Sequence, residues 1–166
     1  IQIGSALRQV AFSPRGMLLA SAGADGTVRL WDPVTGLPVG APIQTGSGPD
    51  GVSALAFRRD GTVLAIAGGD GMVRLWNLAT RQPVGRPFRA TSARFGVSDV
   101  VFSPDGTRLA SADGDGVVRL WDPVTGQLIG RPIQATSTTN GGVHVVAFSP
   151  DGLLLAAGGG GGTVRL

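Results

Sequence analysis

The chain has 166 residues, 42% of them apolar, which is enough for one sizeable core and too much for a disordered segment despite 28 glycines and 11 prolines. All 14 bases are arginine and all 11 acids are aspartate; cysteine, lysine, glutamate and tyrosine are absent and there is one histidine. This composition excludes disulfides, thiolate or multi-histidine metal sites, Schiff bases and lysine-dependent phosphate loops, and a formal charge of +3 does not point to nucleic acid.

In chain order the sequence reads as short apolar runs separated by turn signals, which is an all-β pattern. Residues 7–12, 18–22, 27–31 and 38–43 form a first set. The second set is 52–57, 63–67, 72–76 and about 83–89. In the fourth set the runs are 143–148, 153–157 and 163–166, with no fourth run after them. Between the runs stand Asp-Gly pairs such as Asp70-Gly71 and Asp115-Gly116, which tolerate the positive φ of tight hairpins.

These sets repeat. Val28-Arg29-Leu30-Trp31 returns at Val73 to Trp76 and at Val118 to Trp121, each time after 45 residues, and Phe12, Phe57, Phe102 and Phe148 keep nearly the same beat. Residues 31–45 and 121–135 agree at ten of fifteen positions, so the units are duplicates. Each period holds four runs and predicts one four-stranded antiparallel blade. With Trp-Asp at Trp31-Asp32 and Trp121-Asp122 and Trp-Asn at Trp76-Asn77, the chain resembles the WD40 repeat family over essentially its whole length. The resemblance implies a β-propeller with four blades in this chain. Residues 1–166 form one propeller segment, with units at about 5–45, 46–90, 91–135 and 136–166. Residues 1–4 match the outer-strand sequence at Ile43-Gln44 and are expected to complete the last blade. That strand closes a four-blade ring, or pairs with a second copy into an eight-bladed homodimer; alternatively both ends continue into further repeats.

The family's buried blade network carries over in part. Ser21, Asp25 and Trp31 fit the first unit and Ser111, Asp115 and Trp121 the third. In the second, Asp70 and Trp76 fit but Ile66 stands in the serine's place. The family's histidine before the inner strand is missing from every unit. Arg29, Arg74, Arg119 and Arg165 are read as pairing with nearby aspartates inside the stack, and Asp25, Asp70, Asp113, Asp115 and Asp151 as turn residues. His144, the sole imidazole, has no spaced nucleophile or acid partner, so no catalytic, cofactor or metal residue is predicted.

What remains is a surface. Connections before the inner strands lie on one face of such a fold, which makes Arg8, Ser53, Arg94, Ser98, Asp99 and His144 the candidate partner contacts, together with loops 45–51 and 135–142. The function expected from the resemblance is a non-catalytic scaffold for a protein partner. Alternatives are a regulatory module of a larger signalling enzyme and a purely structural or engineered repeat array. No run approaches the roughly 18 apolar residues of a membrane helix and no leader is visible, so a soluble, cytoplasmic protein with neither membrane nor nucleic-acid partners is expected. The missing initial methionine suggests a piece of a longer protein, and the arginine-only, aspartate-only composition a GC-rich, bacterial-type genome.

Overall fold

The computed structural model describes residues 4–48, 50–92, 96–136, 141–162 and 164–165. Its fifteen strands fall into four antiparallel sheets. The first holds β1 (Leu7–Phe12), β2 (Leu19–Gly23), β3 (Thr27–Trp31) and β4 (Ile43–Gln44). The second holds β5 (Val52–Phe57), β6 (Val63–Gly68), β7 (Met72–Asn77) and β8 (Gln82–Arg89). The third holds β9 (Val97–Phe102), β10 (Leu109–Asp113), β11 (Val117–Trp121) and β12 (Ile133–Gln134). In the last, β13 (Val143–Phe148), β14 (Leu155–Gly159) and β15 (Val164–Arg165) form three described strands. Each sheet is an up-and-down meander, with its first strand innermost and its last at the rim.

Two runs differ from expectation by more than one residue at a boundary. The outer run at 38–43 pairs only at Ile43–Gln44 and at a Trp31–Pro38 bridge. Pro42 offers no N–H to a ladder, and Gly40 sits at φ 73°, so the stretch between leaves the sheet. The second strand of the last sheet begins at Leu155 rather than Leu153, because Ser149 accepts the Leu154 N–H and Asp151 the Leu153 N–H, which holds that stretch in a turn.

The cores lie between the sheets. Ala20, Val28 and Ile43 of the first sheet meet Val52, Leu64 and Ile66 of the second, while Val63, Ala65 and Val73 on the opposite face meet Val97, Leu109 and Trp121 of the third. A third cluster joins Ala110 and Val118 to Val143 and Val146. Every residue of β6 is buried, so this strand reads as an unbroken apolar run instead of alternating. Successive innermost strands pack on one another, β1 on β5, β5 on β9 and β9 on β13.

Each junction uses a glycine where the next sheet begins. A Cβ on Gly51 would lie 2.6 Å from the backbone of Ala24, on Gly96 2.5 Å from Gly69, and on Gly142 2.8 Å from Gly114. All three glycines have positive φ. The first unit carries Ala6 in this position.

Among the described residues the four sheets form an arc, with no comparably extended packing leading from β13 back to β1. At each of its two ends an apolar side chain is exposed. Phe12 is 62% exposed, whereas its counterpart Phe102 is 7% exposed. At the other end Val164 is exposed where Val28, Val73 and Val118 are fully buried. Among the described residues no sheet closes on itself, and these strands do not show a closed four-blade ring. The expected closing strand falls on Ile1 to Ile3, outside the described residues; Gly4, beside it, is an exposed bend.

Candidate functional site

Arg8, Ser53, Ser98 and His144 are each the second residue of an innermost strand, so the four sheets present them as a row. Arg8 and His144 are exposed, and Ser53 and Ser98 are half-buried. Among the described residues no carboxylate or hydroxyl is hydrogen-bonded to His144, and no group of three residues able to hold a metal occurs. Arg94 lies outside the described residues.

Two expected surface residues are engaged between sheets. Ser53 Oγ donates to the Ala67 carbonyl at 3.1 Å and also to the Val97 carbonyl of the next sheet. Asp99 accepts from its neighbour Val100 N–H at 2.8 Å and from Val146 N–H in the fourth sheet at 2.9 Å. Burial pushes the Asp99 carboxyl above its usual range, against the pull of those two backbone donors. Asp99 is therefore corrected from a free contact to a link between β9 and β13. Gln9 makes the matching link from β1, its side-chain carbonyl accepting the Leu55 N–H. Gln9 drew no attention in the sequence because its reach to the next sheet leaves no local pattern.

The flanking loop 45–51 is held down as well. Thr45 Oγ1 donates to the Gly26 carbonyl at 2.7 Å and accepts the Ser47 N–H, and both side chains are buried. Pro49 and residues 137–140, parts of the two candidate loops, lie outside the described residues.

Beneath this face lie the residues of the expected blade network. Trp31 Nε1 donates to Ser21 Oγ at 2.8 Å and Trp121 Nε1 to Ser111 Oγ at 2.9 Å. The aspartates serve the hairpins and arginines and do not bond to the tryptophans. Asp25 accepts from Thr27 N, Thr27 Oγ1 and Arg29; burial alone would raise its pKa, but these donors together hold it below the usual range. Asp70 pairs with Arg74 at 2.6 Å. Asp115 lies 3.5 Å from Arg119 and accepts from Thr91 Oγ1, just after the rim strand of the second sheet, at 2.6 Å. Asp113, read from the sequence as a turn residue, is fully buried and forms an ion pair with Arg119. The signal for it was present: Gly23 and Gly68 occupy its position in the other units, so a carboxylate there is an addition to the hairpin. Of Arg165 only the backbone is described.

The carboxylates outside the stack sit in turns. Asp32 and Asp122, of the Trp-Asp pairs, each accept two backbone N–H groups of the following turn, and Asn77 does the same in the second unit. Asp60 is lowered to about 2 by its hydrogen bond from Arg58, and Asp105 to about 2 by Ser103 and Thr107. No helix among the described residues is long and apolar enough to cross a membrane.

A β-propeller family model described as nucleolar protein 10-like, N-terminal domain, matches residues 2–165. No curated protein matches the chain. The expected cytoplasmic location is overturned by this finding, since the matched family is named for a nucleolar protein and points to the nucleolus instead.

Proposed function

We propose that this chain, which belongs to the nucleolar protein 10-like N-terminal domain family of WD40-type β-propellers, is a non-catalytic scaffold that holds a protein partner on the face where its innermost strands begin. The observation that carries this reading is the row at the second position of β1, β5, β9 and β13. One backbone position repeated on a rigid frame carries arginine, serine, serine and histidine in turn. A duplicated frame with differing residues at a shared surface position suits recognition, and a fold alone does not dictate it. Arg8 and His144 are its exposed members, while Asp99 is committed to the sheet junction. The test is a photo-crosslinking residue placed at position 8 or 144, with position 124 in a turn at the opposite end as control. Crosslinks to one defined protein from 8 and 144 but not from 124 support the reading; the reverse pattern overturns it.

The exposed apolar side chains at the two ends favour a second reading, for assembly. Phe12 at one end and Val164 at the other are exposed where their counterparts are covered by an adjacent sheet. More sheets of the same kind fit there, and a second copy of the chain gives an eight-bladed ring. Light scattering on the purified chain decides between them: twice the chain mass supports the pair, and a stable single-chain mass rejects it.

A further inference from the structure

Trp31, Trp76 and Trp121 occupy one position in three successive sheets, and the middle one is unlike the others. The outer two donate their indole N–H to serine. Beside Trp76 the strand carries Ile66, and its N–H has no acceptor among the described residues. The residue that covers such a tryptophan comes from the rim strand of the preceding sheet. Over Trp121 it is Phe88, whose ring centroid lies 4.8 Å away with the planes tilted by 37°. The pairing Val73 with Phe88 is repeated in the first sheet by Val28 with Ile43, so isoleucine stands where Trp76 would receive a phenyl ring. At this place a cleft of about 290 Å³ remains, walled by Ile43, Ile66, Trp76 and Pro87 together with Arg74 and Arg86.

The molecule thus shows what fits. Its own phenyl group fills the equivalent position one sheet on. Aromatic rings on a tryptophan face combine apolar burial with favourable ring electrostatics. Among the described residues the charges in the wall, Arg74 and Arg86, are cationic. Arg74 is committed to Asp70, whereas Arg86 is exposed and has no ion-pair partner among the described residues. We propose that the cleft between the first and second sheets binds the phenylalanine side chain of an acidic segment of a partner protein, with a neighbouring carboxylate of that segment paired to Arg86. A basic segment is repelled by the same wall. The site lies on the rim, away from the row of Arg8 and His144, and stands or falls independently of the scaffold face.

The probe is the blocked peptide acetyl-Asp-Asp-Phe-Asp-Asp-amide, titrated calorimetrically into the whole chain. Saturable binding is expected, at least about ten-fold weaker when alanine replaces the peptide's phenylalanine. Ile43→Phe, which supplies the ring from within, abolishes it. Arg86→Gln weakens it several-fold at unchanged circular dichroism. Lack of saturation up to about 1 mM peptide, or undiminished binding by Ile43→Phe, overturns the proposal. Tighter binding of free 3-phenylpropionate than of the peptide also overturns it, in favour of a small-molecule site. Should Ile43→Phe not fold, Arg86→Gln and the alanine peptide decide the matter.

Discussion

Between the second and third sheets, Phe88 lies on Trp121 and Ser111 holds the indole; between the first and second, Ile43 and Ile66 stand in those places and Trp76 is left half-buried. The looser junction has a device of its own. Arg81 takes the turn position of Gly36 and Gly126, keeps their positive backbone angle at φ 57°, and reaches back to the Val39 and Ala41 carbonyls at 3.0 and 3.2 Å. A non-glycine residue in that region costs about 1–3 kcal/mol, which those two charge-assisted bonds offset. Two copies of one repeat are therefore joined by different means, one through a packed ring and the other through a latch at the rim. The frame tolerates the exchange because the small-residue packing of Ala20, Ala65 and Ala110 in the second strands is the same throughout.

The sharpest way to break the comparison is to remove each tryptophan in turn. Trp121→Ala is expected to cost about 3–5 kcal/mol in urea unfolding, and Trp76→Ala less by at least about 1 kcal/mol, because the latter has no hydroxyl partner and a cleft already beside it. Equal losses would mean that the junctions are energetically the same. Next in size, Gly51→Ala and Gly96→Ala each bring a methyl group against backbone of the previous sheet at positive φ, and each should cost about 2–3 kcal/mol. Here the junctions are expected to agree, whereas Ala6→Gly stays within about 1 kcal/mol in thermal unfolding. Ser111→Ala strands the Trp121 N–H and is expected to cost about 1–2 kcal/mol, bringing the tight junction towards the loose one.

The smallest effect is in acid. Asp60 and Asp105 titrate at about 2 in the fold, below the ordinary carboxylate value of 3.8, so their stabilisation is present above that value and is lost as pH falls towards 2. Asp99 has the opposite sign. Its folded pKa is raised, so the native state holds the proton more tightly and this residue's contribution declines as pH rises from 3.8 through the raised value. Asp99→Asn should flatten the stability profile in that upper window and leave the decline near pH 2 in place; an unchanged profile would remove Asp99 from the junction.

Most of the inner strands were legible from alternation and from Asp-Gly turns, because both are local: β1, β3, β5 and β13 have the bounds expected of them. The rim strands were less so, since Pro38, Gly40 and Pro42 recur as Pro83, Gly85 and Pro87 while only the second sheet keeps its ladder, through a bulge beside Val73. At the candidate site the row of second positions followed from the period alone. The roles of Gln9, Asp99 and Asp113 did not, because they depend on reach across a junction or on burial at a strand end, which neither spacing nor residue type reports.

The links from Gln9, Ser53 and Asp99 all end on backbone groups of the following sheet, at Leu55, Val97 and Val146. The receiving unit needs no matching side chain, only its glycine at the point of closest approach. A whole period duplicated within the gene would therefore meet a ready-made socket at any internal position, so the array can lengthen or shorten by units without compensating mutations.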